Sequence, residues 1–246
     1  MPLTVTNICN SSLDKNGSSL IDHYETDESE NAKRCRLYYP RVRDACLRSF
    51  TWNFASTRLK LSSAWATATD YITENYVWES ALLYKCVEDH TSGTFATDLA
   101  AEKWTLVSDR PSSGYEYAYD LPTDCLRVIT PIDPDTDEAL DSEAYRWRSE
   151  GGQFLYNETD CDIRYIFREE NPEKFDALFV QVLIYWLAFE LSPSIKQNEK
   201  LAAELNQHLN ILLIPQARSI DAKESSTKIL QGQTLIKSRL VSRLGT

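Results

Sequence analysis

Residues 171–217, NPEKFDALFVQVLIYWLAFELSPSIKQNEKLAAELNQHLNILLIPQA, read as two long helices joined by a tight break. Asn171-Pro172-Glu173 is a start signal. Asn caps, Pro fits the first helical position, and an acid suits the positive end of the helix dipole. Phe175, Leu178, Phe179, Val182, Leu183, Trp186, Leu187 and Phe189 recur at helical spacing, and Ile184 and Tyr185 widen the apolar face. A helix this apolar is buried on several sides. Its length, and the interruptions at Asp176, Gln181 and Glu190, argue against a bilayer span. Ser192-Pro193 is expected to stop it, with a second helix restarting near Ser194. That helix carries Ile195, Leu201, Leu205, Leu209 and Leu212 as a narrower stripe, with Lys196, Glu199, Lys200, Glu204 and Gln207 outside. The two form a helical hairpin, a core for the rest of the chain to cover.

The 246 residues suffice for one large domain, or one domain with an insertion. Hydrophobic residues are 42% and charged residues 26%, which places the chain among ordinary globular proteins. A net charge of −11 argues against a protein that coats DNA, because phosphate binding needs clustered Lys and Arg. It is compatible with a surface past which DNA slides without sticking. With seven glycines and no GxGxxG or GxxxxGK[ST] pattern, no phosphate-cradling loop is expected. Cys9, Cys35, Cys46, Cys86, Cys125 and Cys161 are scattered without a CxxC pair and read as reduced thiols. The start, MPLTVTNICN, lacks the basic and apolar regions of a secretory signal. His23, His90 and His208 stand apart from one another and from any cysteine at ligand spacing, so no metal or other cofactor is expected.

Residues 1–12 have weak strand character, and Asp14-Lys15-Asn16-Gly17 marks a turn. A long helix is predicted from Asp27 to Ser49, with Pro40 expected to kink or split it. Lys33, Arg34, Arg36, Arg41, Arg43 and Arg48 lie along it. They read either as a solvated face paired with Glu25, Asp27, Glu28 and Glu30, or as a contact where arginines meet a neighbouring subunit's acids. Trp52 and Phe54 read as core aromatics locking the helix end onto a strand that alternates through Leu59 and Leu61.

From Ser62 to Arg110 the pattern shifts to short strands, Tyr71–Trp78 and Leu82–Val87, a polar turn over His90–Thr94, and a last segment ending at Val107. The main domain resumes with a strand at Tyr115–Asp120, a Pro-set turn at Leu121–Asp124 and a strand at Cys125–Pro131. Asp133–Glu138 has the acidity of a calcium loop but places Glu138 and Ala144 where that loop needs Gly and Glu, so it reads as a solvated acidic loop. Tyr145–Arg148, Gln153–Tyr156 and Cys161–Phe167 complete a meander, with turns at Glu150–Gly152 and Asn157–Asp160. The expected fold is α+β: a helical bundle with a long helical hairpin, a short antiparallel β-meander, an inserted small β module and an extended C-terminal tail. Residues 1–61 and 111–224 make the main domain, 62–110 the insert and 225–246 the tail. That tail, SSTKILQGQTLIKSRLVSRLGT, has spaced aliphatics among Lys228, Lys237, Arg239 and Arg243 and no acids. A stretch like this on an acidic protein suits docking on a partner.

Four stretches taken in order resemble the tail tubular protein A family, the head-to-tail adaptors of short-tailed bacteriophages. They are Arg43–Arg48 followed by Thr51–Ala55, then Tyr117–Val128, then Arg164-Tyr165-Ile166, then Phe175-Asp176 leading through Trp186–Leu191. The resemblance implies a non-catalytic virion protein at the head–tail junction of the phage, made in the host cytoplasm. It implies a ring, usually of twelve copies, that sits under the portal protein, continues the DNA channel and receives the tail nozzle protein. It assigns portal docking to the tail, and so here to Lys228, Ile229, Leu230, Leu235, Ile236, Lys237, Arg239, Leu240 and Arg243. Genomic DNA would pass the lumen without specific binding, and no membrane insertion is implied. Family members often lack the 62–110 insert.

Separately, Tyr84–Trp104 resembles small β modules inserted in phage virion proteins, akin to chitin- or cellulose-binding modules. That resemblance implies glycan stacking on Tyr76, Trp78, Tyr84 and Trp104, and hence an alternative role as a virion-associated glycan-binding protein. The same rings could instead form the miniature core that so small a module needs. A hydrolase would need a framed pair of acids, a Ser-His-Asp set or an HExxH helix, and none is visible.

Overall fold

The computed structural model describes residues 2–80, 82–107, 114–133, 139–140, 146–158, 161–195 and 199–224. The fold is α+β. Its N-terminus corrects the expectation of a strand, because Val5–Lys15 is a helix, α1. The Thr4 hydroxyl accepts from the Asn7 N–H at 3.2 Å while the Asn7 carboxamide oxygen accepts from the Thr4 N–H at 3.0 Å, a closed capping box. The helical pattern is masked because two buried positions are polar. Ser12 donates to the Ile184 carbonyl at 3.0 Å, and Asn16 at the helix end donates to the Ala188 carbonyl at 3.0 Å.

Glu30–Ser49 form α2, capped by Ser29, whose hydroxyl accepts from the Ala32 N–H at 3.3 Å. The helix continues as one element through Pro40, so of the expected kink or split the split does not occur. Buried Cys35, Tyr39, Val42 and Cys46 on both sides of that proline hold it in place, against a cost of about 3 kcal/mol for an interior proline. The next apolar helix, α4 (Ala177–Ile195), follows a short α3 (Phe95–Ala100) that no sequence signal had marked. Asn171 caps only a single 3-10 turn at Pro172–Lys174. The helix proper starts at Asp176, whose carboxylate accepts from the N–H groups of Leu178 at 2.8 Å and Phe179 at 3.1 Å. The acid read as an interruption is therefore the cap. Pro193 lies inside the last turn of α4 and does not end it.

By length and composition α4 could cross a membrane, but here it is the central helix of a core. Phe179, Val182, Leu183, Leu187 and Leu191 are buried against α1, α2 and the last helices, α5 (Glu199–His208) and α6 (Ile214–Glu224). Between α5 and α6, Leu209–Leu213 form one π-helical turn. The wider turn carries Leu213 to the core face and leaves Leu212, expected in the stripe, 52% exposed.

The strands are β1 (Ser56–Ala64), β2 (Asp70–Tyr71), β3 (Tyr76–Glu79), β4 (Leu82–Cys86), β5 (His90–Thr91), β6 (Trp104–Leu106), β7 (Tyr117–Asp120), β8 (Cys125–Ile132), β9 (Arg148–Glu150), β10 (Gln153–Tyr156) and β11 (Cys161–Phe167). They do not form a meander. β7 and β8, adjacent in the chain, lie in different sheets. β8 joins a six-stranded sheet of order β6-β4-β3-β1-β11-β8, and β7 a three-stranded sheet of order β7-β10-β9, while β2 and β5 pair separately. Of the strands expected in the meander, among the described residues only β9 and β10 pair as chain neighbours, in a hairpin turned by Gly151 and Gly152 at φ of 63° and 82°.

β1 is the seam. Its first half pairs antiparallel with β11, from Ser56 opposite Ile166 to Lys60 opposite Asp162. After a register shift its second half, Ser62–Ala64, pairs in parallel with Tyr76–Trp78 of β3. One strand thus crosses the 61/62 boundary, and the strands of the insert continue the main sheet.

Candidate functional site

The four rings considered for glycan stacking are all buried. Tyr76, Trp78, Tyr84 and Trp104 are 5%, 7%, 8% and 3% exposed. Alternation along β3, β4 and β6 sends the two pairs to opposite faces of the sheet. Tyr76 and Trp78 join Leu61, Tyr119, Phe154 and Tyr165 between the two larger sheets, with Trp78 edge-on to Tyr117 at 4.4 Å. Tyr84 and Trp104 join Tyr71, Val77 and Cys86 under α3, with Trp104 at 5.0 Å from Tyr71 and Tyr84 at 4.8 Å from Phe95. A ring face already covered by protein cannot take a sugar face. The glycan reading is corrected on that ground.

The insert is tied to the main body by a polar knot around Asp120. Its carboxylate accepts from the Tyr76 hydroxyl at 2.9 Å, from the Lys85 ammonium at 2.9 Å and from the Gln153 carboxamide at 3.0 Å, while Glu74 holds Lys85 from outside at 2.6 Å. Partial burial alone would raise the Asp120 pKa, but the three donors hold it below the ordinary carboxylate value. Burial pushes the Tyr76 phenol up to about 12.

His90, expected to stand apart from any cysteine, sits with Cys86 and Asp98, Nδ1 at 3.8 Å from the thiol and Nε2 at 3.9 Å from the carboxylate. The trio is not a nucleophilic set. Cys86 is fully buried, burial pushes its thiol up, and the same His90 nitrogen lies 2.8 Å from the Glu88 carbonyl. Among the described residues no group of three or more His, Cys, Asp or Glu is placed to hold a metal ion. All six cysteines are free. Cys9 and Cys35 meet between α1 and α2, where a hydrogen bond with Cys35 and burial push the Cys9 thiol up.

The basic residues of α2 divide into two kinds. Lys33 pairs with Glu30 at 3.2 Å, Arg36 donates to the carbonyls of Tyr24 at 2.7 Å and Asp27 at 2.9 Å, and Arg43 bridges Asp44 at 2.9 Å and Glu170 at 3.1 Å. These fasten the helix to its own chain. Arg34 is half-buried, and Arg41 is exposed. Arg48, in the last turn, donates to the Leu126 carbonyl from an exposed position.

Two further arginines join Arg48 there. Arg127 of β8 donates to the Thr51 hydroxyl at 3.0 Å, and Arg218 of α6 donates to the Ser49 carbonyl at 3.1 Å with its guanidinium over the Phe50 ring at 5.2 Å. Burial, then the positive charges of Arg48 and Arg218, lower the pKa of Arg127. None of the three forms an ion pair among the described residues. The Nε groups of Arg127 and Arg218 are buried and have no hydrogen-bond partner among the described residues. Of the nearby acids, Asp221 accepts from the Asn53 N–H at 3.0 Å, and Glu150, paired with Arg148 at 3.6 Å, lines with Arg48, Arg127, Leu126 and Trp147 a cleft of about 440 Å³. Arg127 and Arg218 were invisible to a reading of the basic cluster because only the β8 register and the α6 docking bring them to the α2 end. The one signal in the sequence was a charge inside the apolar run Cys125–Ile132.

The tail residues assigned to docking, Lys228, Ile229, Leu230, Leu235, Ile236, Lys237, Arg239, Leu240 and Arg243, lie outside the described residues, as do the acids 134–138.

No protein-family model matches the chain, and no curated protein matches it either. Fold and site together define an α+β protein whose six-stranded sheet runs through β1 into the insert, and which carries, at one end of its second helix, three arginines that form no ion pair among the described residues.

Proposed function

We propose that this chain is a non-catalytic structural virion protein. In this reading copies form a ring, of twelve subunits, that joins the portal to the tail and continues the DNA channel. The observation that carries the reading is spatial. The stretches that resemble the phage adaptors, far apart in sequence, meet in one place. Trp52 lies edge-on to Phe179 at 5.2 Å, Phe54 lies at 6.0 Å from Phe175, Arg127 reaches Thr51, and Arg168, just past Arg164–Ile166, binds Asp44 at 2.9 Å. A shared pattern of this kind is what a common packing requires, since the partners fall within the pattern or directly beside it.

In this role α4 with the α5–α6 segment is the two-helix scaffold of a bundle repeated about the ring axis, and residues 225–246 are the arm that docks on the portal. The net charge of −11 suits a lumen that repels phosphates and releases the duplex. Deleting residues 225–246 tests the reading. The truncated chain is expected to keep its circular dichroism and melting temperature and to lose capture by portal rings. Undiminished capture would count against it, as would electron micrographs of chain mixed with portal that show no rings stacked on the portal.

A further inference from the structure

α2 has an unusual charge layout. Before its first turn, Asp22, Glu25 and Glu28 are exposed and form no ion pair among the described residues. At its last turn sit Arg48, Arg127 and Arg218, which also form no ion pair among the described residues. The helix dipole favours this polarity, but it offers only about half a unit charge at each end. Three guanidiniums at one end and three carboxylates at the other are far more than it compensates. Nor do the two groups satisfy each other within one copy. The 22–28 segment lies along the first half of α2, with the Tyr24 ring 5.7 Å from Tyr39 and its carbonyl 2.7 Å from Arg36, and among the described residues no ion pair joins its acids to the three arginines.

We propose that the two ends meet between copies, head to tail. Arg48, Arg127 and Arg218 of one copy receive the carboxylates of Asp22, Glu25 and Glu28 of a second copy. Arg48 and Arg127 line one open cleft of about 440 Å³, from which a carboxylate can meet guanidinium N–H groups. The chain itself is the matching source of carboxylates, with 37 acids against 26 basic residues and three of them unpaired at the far end of the same helix. A contact between different patches on identical chains propagates, and it closes into a ring when the rotation permits. Closure into a ring rests on the adaptor reading above, whereas the contact rests on charge placement alone.

The test is the mass of the full-length chain by light scattering, across concentration and salt. Wild type is expected to associate at low ionic strength and to dissociate in high salt. Glu25→Arg with Glu28→Arg, on an exposed segment where folding is not at stake, should weaken association by about tenfold or more. Arg127→Glu should do the same, and the combined triple variant should regain association. Unchanged association in the acid-side variant overturns the contact. So does failure of the triple variant to recover, or a wild-type chain that stays monomeric alone and on portal rings. Reversed chains that still form rings on the portal overturn this contact and leave the adaptor role standing. Chains that associate through these residues yet never join a portal keep the contact and sink the adaptor role.

Discussion

Trp52 shows how one residue fixes a junction. Its ring is 1% exposed, lies edge-on to Phe50 at 5.3 Å and Phe179 at 5.2 Å, and its indole N–H donates to the Cys46 carbonyl at 2.9 Å. It therefore binds the end of α2 to α4 and satisfies a carbonyl that the helix leaves open. Trp52→Ala should cost about 3–5 kcal/mol, visible as a lower urea midpoint with an unchanged slope. Asp120 acts through charge. Because its folded pKa is held below the ordinary value of about 3.9, its contribution is complete above that value and is lost as pH falls through the folded one. Asp120→Asn should lower the melting temperature at neutral pH and make the acid limb of the stability profile shallower. An acid limb identical to wild type would remove Asp120 from the account.

Among the elements, α1 teaches the most about what a pattern hides. Ser12 and Asn16 interrupt its apolar spacing, yet both are buried because carbonyls of α4 accept from them. Its start depends on the Thr4–Asn7 box. Thr4→Ala should cost about 1 kcal/mol and raise amide exchange in the first turn before it does so in α4. The π turn at Leu209–Leu213 makes the same point at the other end of the chain. A local change in helical pitch moves Leu213 inward and Leu212 outward, and periodicity read at 3.6 residues per turn selects the wrong leucine.

At the scale of the whole molecule, the shared strand β1 and the knot at Asp120 make the insert part of the main body's core. Trp78 and Tyr76 pack on Tyr117 and Tyr119 of the other sheet. Excising 65–107 with a short linker should therefore expose Leu61, Tyr119 and Phe154 and give a chain that aggregates or melts far below wild type. A truncated chain as stable as the parent, by thermal denaturation, would mean that the insert adds nothing to the core.

Helix α4, the α2 segment, most strand positions and the buried role of Trp52 were legible in the sequence because each follows from local periodicity and residue chemistry. Which strands pair was not legible. β1 meets β11 across some hundred residues, and β7 and β8 part into different sheets, because pairing is decided by which apolar faces can be covered together and not by order along the chain. The four aromatics of the insert carry the same lesson for function. Their identity announces either a stacking surface or a core, and only their neighbours in space, on both faces of one sheet, decide for the core.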